Sequence, residues 1–269
     1  AHTHTHTHLK MRELYTNDQL PYTIWGDEIG DMLTKNFTRT VQLSIPRRDG
    51  SGTVPTTCII PTKFIGGSAP TRFPLVVYLH SGGMIFGSVA AEMGSATYLS
   101  SKAQAVTCSI EYRLAPEHAY PAAMEDTLDV AQVLLDPASD VHTQLGDLGQ
   151  QGWATNFATF GYSAGGYMSA HTSRMLASEG YTAKVAIVSM PMTKPYGGTQ
   201  SERDYAENPM WSRSMSQWGW SVFLPESMKA LATDWRVSLL VDPPADVVAN
   251  LPSTFVQVCT MDILRDEGW

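Results

Sequence analysis

Short apolar runs recur along this chain, and between them the apolar residues follow helical spacing. Residues 41–45 and 54–60 alternate between apolar and polar positions, which predicts two strands joined by a turn at 46–52. The runs at 73–79 and 105–110 are apolar throughout, as in strands that are buried on both faces. Further strands are predicted at residues 157–160, 183–190 and 254–259.

Two helices are predicted between these strands. Residues 121–135 begin with a proline and carry apolar side chains at helical spacing, and a second helix-like run covers 164–179. Strands that alternate with helices favour an α/β fold with a mostly parallel sheet and helices on both faces.

Residues 191–250 interrupt this rhythm and are rich in Met and Trp. These residues could form a helical cap over the strand ends or an ordinary helical core, and composition alone favours neither. We therefore divide the chain into a core at 41–190, an insertion at 191–250 and a return to the core at 251–269.

The N-terminal region contributes little to this division. Residues 1–8 alternate His with Thr and resemble an engineered purification tract, so they are excluded from fold reasoning. Residues 9–40 are irregular and are assigned to an N-terminal segment that could belong to the cap.

Composition narrows the class of protein. The 269 residues carry 18 Lys and Arg against 26 Asp and Glu, a net charge of −8, which disfavours nucleic acid and anionic membrane as partners. No apolar run is long enough to span a bilayer. Cys58, Cys108 and Cys259 lie in strand-like runs and are expected to be buried free thiols. This expectation favours a cytoplasmic location, with secretion left open.

The most informative segment for chemistry is Gly-Tyr-Ser-Ala-Gly-Gly at residues 161–166. It joins a predicted strand to a predicted helix, the setting in which G-x-S-x-G presents a serine nucleophile on a sharp elbow. Ser163 is therefore the candidate nucleophile for hydrolysis through an acyl-enzyme.

A second segment, His80-Ser81-Gly82-Gly83, directly follows the strand at 73–79. Glycines at such a position leave backbone N–H groups free to bind a substrate oxygen. We expect the N–H groups of Gly82 and Gly83, with that of Ala164 after the nucleophile, to form an oxyanion hole.

Four segments in order resemble the hormone-sensitive-lipase-like family of α/β-hydrolases: 80–88, 111–123, 161–166 and 261–268. The resemblance implies an α/β-hydrolase fold with a helical cap and carboxylic-ester hydrolysis that needs no cofactor and no metal. It assigns Asp262 as the acid of the catalytic triad, with Asp266 and Glu267 as rivals.

The chain departs from the family pattern at three points. Ser81 stands where the family usually has the first glycine of His-Gly-Gly-Gly, and Tyr162 replaces the usual aspartate before the serine. No histidine follows His171, although the triad order of this fold is Ser, acid, His. The resemblance therefore places the catalytic histidine C-terminal to Trp269, together with a last strand and helix, so that the core ends prematurely.

The other histidines have weaker claims to the role of base. His171 lies eight residues beyond Ser163 on one predicted helix, about 12 Å along its axis. His80 is expected to fix the oxyanion loop, His118 to lie at the surface or brace a loop, and His142 to lie in a polar insert.

Two functions remain open at this stage. The first is a serine carboxylesterase acting on small or medium esters. The second is a protein of the same fold that binds small molecules without turnover. We expect a small-molecule ester as partner, and a homodimer is left open. The proposed substrate pocket consists of Tyr162, Met84, Trp211 and Trp218.

Overall fold

Seven strands form one mixed sheet in the computed structural model, which describes residues 38–61, 73–145 and 153–268. The strands are β1 (Thr38–Pro46), β2 (Thr53–Pro61), β3 (Leu75–Leu79), β4 (Val106–Ile110), β5 (Phe157–Tyr162), β6 (Val185–Ser189) and β7 (Ser253–Gln257). Each matches a predicted strand, with ends shifted by a few residues. The His/Thr tract and the segment 9–40 lie outside the described residues, except for 38–40 in β1.

The strand order is β1-β2-β4-β3-β5-β6-β7. Strand β2 pairs antiparallel with β1 and β4, whereas all pairs from β4 to β7 are parallel. Leu79 is in register with Ile110 on one side and Gly161 on the other. The carboxyl ends of the parallel strands therefore meet at one edge of the sheet, where ligands bind in open α/β sheets.

Helices cover both faces of this sheet. They are α1 (Met93–Ala103), α2 (Ala122–Leu135), α3 (Val141–Gln144), α4 (Ala164–Ser178), α5 (Gln200–Asp204), α6 (Arg213–Phe223) and α7 (Ala245–Val248). Val77 of β3 belongs to the same buried cluster as Met168 of α4, whereas its neighbour Val76 packs with Ala96 of α1. The continuous apolar run in β3 thus reflects burial on both faces, and the predicted α/β architecture, a mostly parallel sheet between two layers of helices, is confirmed.

The insertion at 191–250 is helical and packs partly into the core. Trp220 and Phe223 of α6 are fully buried in the main hydrophobic cluster, whereas Met210 is 54% exposed. The region therefore contributes in part to the core, and its role and boundaries as a cap stay predictions.

The expectation of three free thiols is wrong for two of them. Cys58 and Cys108 form a disulfide, because they lie directly opposite each other on β2 and β4 with their Cα atoms 4.0 Å apart. The odd number of cysteines gave no indication of this pair. Cys259 is the remaining cysteine, and its thiol is free and half-buried. Because Cys58 and Cys108 are not free thiols, they give no support for a cytoplasmic location. That location stays a prediction.

The last strand of the sheet is open. All five residues of β7 are exposed, including Phe255 and Val256, and within the described chain β7 pairs only with β6. An open cavity of about 290 Å³ lies beside it, and its lining includes neither Ser163 nor Asp262.

Among the described helices, none has the length and apolar character needed to cross a membrane.

Candidate active site

The backbone at Ser163 is strained in the way that a nucleophile elbow requires. Ser163 has φ 54° and ψ −118°, between the end of β5 and the start of α4. The conformation is held by its N–H, which donates to the Ser189 carbonyl at 2.8 Å, and by its carbonyl, which accepts from Tyr167 N at 3.0 Å. A non-glycine residue in this region costs about 1–3 kcal/mol and is characteristic of functional sites.

The glycines on either side of the elbow are required by close contacts. A Cβ atom on Gly161 would lie 2.2 Å from the carbonyl carbon of Gly165, and one on Gly165 would lie 2.0 Å from the carbonyl oxygen of Leu79. These contacts are with backbone, which cannot move aside. The helix can therefore start this close to β3 and β5 only with glycine at both positions.

The predicted oxyanion loop presents free donors. Gly82 and Gly83 have φ of +120° and +61°, and the Gly82 carbonyl accepts from the N–H groups of Ile85 and Phe86. Within the described chain, the N–H groups of Gly82 and Gly83 donate to no protein group. Ala164 is the first residue of α4, so its N–H also lacks a partner within the helix.

His80 fixes this loop, as predicted. Its Nδ1–H donates to the Ser81 carbonyl at 2.8 Å, its ring stacks on Tyr112 at 4.0 Å, and the Tyr112 hydroxyl donates to the His80 carbonyl at 2.6 Å. The Ser81 carbonyl and the Gly82 N–H belong to one planar peptide unit and point in opposite directions. Holding the carbonyl therefore sets the direction in which Gly82 can donate.

Asp262 follows β7 at the same edge of the sheet, with β6 between β7 and the strand that carries Ser163. Its Oδ1 accepts from the backbone N–H of Leu264 at 3.1 Å, so it also starts the turn that follows. Burial raises the pKa of Asp262, although hydrogen bonds from its own turn oppose this shift.

The two rival acids are occupied by other contacts. Asp266 accepts from Arg265 Nε at 2.8 Å and from Ser201 N at 2.7 Å. Glu267 is buried and accepts from the N–H groups of Thr193 and Lys194 at 2.7 and 2.8 Å. Of the three acidic side chains, Asp262 is the one whose described hydrogen bonds come only from its own turn.

None of the described histidines hydrogen-bonds Ser163. His171 donates through Nε2–H to the Arg236 carbonyl at 2.7 Å and His142 to the Asp136 carbonyl at 2.8 Å, while His118 is exposed. Burial lowers the pKa of both His80 and His171 to about 4. His171 therefore has a structural role. His118 lies at the surface, as the sequence indicated, whereas His142, expected in a polar insert, is buried.

The four predicted pocket residues differ in exposure. Tyr162 is half-buried and packs edge-on against Phe160, and Trp211 and Trp218 are also half-buried. Trp211 lies against the oxyanion loop, since a Cβ atom on Gly83 would lie 2.2 Å from its Cη2. Met84 has no exposed surface, so we expect it to support the loop from below rather than contact a substrate.

Sequence reasoning missed two carboxylates that bind the two ends of the segment Ser81–Val89, which contains the oxyanion glycines. Glu92 accepts from Ser81, and Glu111 accepts from the N–H of Val89 at 2.9 Å. Burial raises the pKa of both groups. The serine in place of the family's glycine was the visible signal for Glu92, because a hydroxyl there needs a partner.

Known proteins that are similar to this chain in sequence or structure include several esterases. The arylesterase of Saccharolobus solfataricus is 28% identical over 224 residues, which cover 78% of this chain and 64% of the relative. The chain therefore spans less than two thirds of that relative's own length. The versiconal hemiacetal acetate esterase stcI of Emericella nidulans is 27% identical over 261 residues, covering 90% of this chain and 80% of the relative.

The solved structure of a Pyrobaculum calidifontis esterase superposes with a TM-score of 0.76 at 26% identity, covering 97% of this chain and 76% of that one. The family model described as alpha/beta hydrolase fold matches residues 76–269. These similarities confirm the resemblance to hormone-sensitive-lipase-like esterases that the motifs indicated. The chain belongs to the alpha/beta hydrolase fold family.

Proposed function

We propose that this protein hydrolyses small or medium carboxylic esters through an acyl-enzyme on Ser163. One observation carries the proposal: a serine with φ 54° at a strand–helix junction, next to a loop whose glycine N–H groups have no protein acceptor in the described chain. A serine nucleophile and preorganised donors for the developing oxyanion are two requirements of acyl transfer.

Each residue has a defined role in this mechanism. Ser163 Oγ attacks the ester carbonyl, and its proton passes to a general base. The N–H groups of Gly82, Gly83 and Ala164 donate to the oxyanion. The base returns the proton to the leaving alcohol, and water then attacks the acyl-enzyme by the same route.

The base is proposed to be a histidine C-terminal to Trp269, with Asp262 accepting from its other ring nitrogen. Support comes from the described histidines, whose rings have other partners or lie at the surface. Support also comes from position, because Asp262 and Ser163 follow parallel strands separated by one strand. Neighbouring strands are about 4.8 Å apart, so an imidazole fits between the two groups.

The acyl group is proposed to contact Tyr162, Trp211 and Trp218. These side chains are half-buried aromatic groups, and Trp211 packs against the oxyanion loop. Aromatic surface favours apolar acyl groups, with polar contacts restricted to the reacting ester.

The test combines covalent labelling with turnover. The full-length protein is treated with a fluorophosphonate, the adduct is mapped by peptide mass spectrometry, and hydrolysis of p-nitrophenyl acetate is followed. We expect the adduct on Ser163, and a loss of kcat of about 10³-fold or more in Ser163→Ala. Ser51→Ala, at an exposed serine in the β1–β2 turn, is the matched control and should retain activity.

Turnover retained in Ser163→Ala, or an adduct on another serine with Ser163 free, would contradict the assignment. A second function, binding without turnover, has one observation in its favour: no described histidine is placed to activate Ser163. Saturable binding of an ester with no hydrolysis and no labelling would support that function instead.

A further inference from the structure

The oxyanion loop is tied to a buried carboxylate that the mechanism above does not use. Ser81 donates to Glu92 Oε1 twice, from its backbone N–H at 2.7 Å and from its hydroxyl at 2.5 Å. The other carboxylate oxygen accepts from the Tyr78 hydroxyl at 2.7 Å. Glu92 is only 8% exposed, at the end of the short 3₁₀ helix Ala90–Glu92 that leads into α1.

We propose that Glu92 is a positioning residue that, through Ser81, holds the oxyanion loop with the N–H groups of Gly82 and Gly83 free to donate. This inference rests on the proposed function, because it assigns a role in the same oxyanion hole.

The chemistry of the contact indicates a dedicated interaction. Burying a carboxylate is costly unless it is paired or hydrogen-bonded. No Lys or Arg of the described chain forms an ion pair with Glu92, so the three donors must supply the compensation. Two of the three come from a single residue, Ser81, which immediately precedes the oxyanion glycines.

The contact acts on the glycines through the geometry of the peptide units. Glu92 holds the N–H of Ser81, and the His80 ring holds the carbonyl of Ser81, so the peptide units on both sides of this residue are fixed. The second of these units carries the Gly82 N–H. A Gly-Gly sequence has the largest backbone freedom to lose, so its functional conformation needs such external restraints.

The contact with Glu92 also gives a reason for the serine at position 81, where the family usually has a glycine. A glycine at position 81 could give Glu92 its backbone N–H only, whereas Ser81 gives the hydroxyl as well. The Ser81–Glu92 pair is therefore a device of this chain for holding a loop that has one glycine fewer.

The kinetic test compares Glu92→Ala, Glu92→Gln and Ser81→Ala with a matched control, Glu226→Ala, at an exposed carboxylate. We expect Glu92→Ala to lower kcat for p-nitrophenyl acetate by about 10- to 100-fold while KM changes by about twofold or less, because the loop acts on the transition state. Glu92→Gln should retain most activity, since its amide oxygen can still accept from Ser81 and Tyr78 can accept from its NH₂ group. Ser81→Ala should lie between them.

Amide hydrogen exchange gives a readout independent of turnover. Glu92→Ala should speed exchange of the hydrogen-bonded N–H groups of Ser81, Ile85 and Phe86 by about tenfold or more, and Glu226→Ala should not. If Glu92→Ala fails to fold, Ser81→Ala provides both measurements.

The outcomes separate the two proposals. Wild-type kcat and wild-type exchange in folded Glu92→Ala would overturn the positioning role and leave the proposed function standing. An inactive wild-type protein would overturn the proposed function, and exchange alone would then decide: unchanged protection of Ser81 in Glu92→Ala would overturn the positioning role too.

Discussion

At the scale of single residues, the site depends on backbone geometry that ordinary side chains disfavour. Ser163 is held at φ 54° and ψ −118° by hydrogen bonds to β6 and within α4. The strain is compensated by the surrounding structure, and it places the hydroxyl at the end of the sheet. The proposed reactivity of Ser163 and the local cost in stability would therefore have the same cause.

This strain predicts an inverted preference between alanine and glycine. The free energy of unfolding of Ser163→Gly should be about 1 kcal/mol higher than that of Ser163→Ala. The reason is that relief of the strained φ exceeds the extra entropy of glycine in the unfolded chain. Urea denaturation measures the difference. The matched pair is Ser221→Gly and Ser221→Ala, at an exposed position in α6 where glycine should be the less stable by about 1 kcal/mol. The same order at both sites would argue against strain at Ser163.

The assignment of the triad acid is tested by a second pair of variants. Asp262→Asn should lower kcat by about 10⁴-fold, because an amide cannot orient and stabilise the imidazolium. Asp266→Asn is the control, since Asp266 is bound to Arg265 and Ser201 and should affect turnover little. Steady-state kinetics on the full-length protein measures both. A large loss only in Asp266→Asn would transfer the role to Asp266.

At the scale of elements, the seven described strands and the helices α2 and α4 were predicted from periodicity, because burial on one or both faces leaves a direct pattern, whereas α1 was not predicted. The mixed character of 191–250 was not predictable: Trp218 and Trp220 lie on one helix two residues apart, yet the first is half-exposed and the second is fully buried. Which side of a short helix is buried depends on its tertiary position. The Ser81–Glu92 contact could not be predicted from periodicity either, because it joins a loop residue to the end of a short 3₁₀ helix eleven residues later.

The two environments give the tryptophans of this region different predicted roles. Trp220→Ala should lower the free energy of unfolding by about 3–5 kcal/mol, because it leaves a cavity beside Tyr167 and Phe223. Trp218→Ala and Trp211→Ala should cost less stability and alter chain-length preference among p-nitrophenyl esters by about 1–3 kcal/mol. If neither changes the order of preference, the acyl pocket lies elsewhere.

The contact between the 193–194 segment and the turn at Arg265–Glu267 should depend on pH. Burial raises the pKa of Glu267 from 4.5 to about 7 in the folded protein. The folded protein therefore favours the protonated form of Glu267. The stabilisation from this group is full below pH 4.5, where Glu267 is protonated in both states, and it is lost as pH rises through 7. The loss is on the order of 2–3 kcal/mol.

Unfolding measured at pH 5 and pH 7.5 tests this prediction. In Glu267→Gln the difference in stability between the two pH values should shrink by that amount, whereas Glu226→Gln, at an exposed site, should leave it unchanged. An equal pH dependence in wild type and Glu267→Gln would contradict a raised pKa.

At the scale of the whole molecule, the architecture followed from the sequence, whereas one covalent link did not. Alternation of strands and helices, four ordered motifs and the resemblance they carry were enough for the α/β-hydrolase fold. The strained backbone at Ser163 fits the predicted elbow, and the catalytic roles of the elbow and of the oxyanion loop stay predictions. The disulfide was missed because it depends on register: Cys58 and Cys108 face each other only once β2 lies antiparallel to β4. Counting cysteines carries no information about register.

That bond also determines how the molecule would respond to a pulling force. Cys58 and Cys108 are 50 residues apart, and the chain between them contains β3, the oxyanion loop and α1. A load applied to the two chain ends passes through the disulfide, so these elements bear no tension while it is intact. In single-molecule force spectroscopy, reduction should add about 170 Å to the fully extended length, at about 3.3–3.6 Å per released residue. Cys58→Ala combined with Cys108→Ala should show that longer extension without reductant, and an unchanged extension would mean that the two sulfurs are not linked.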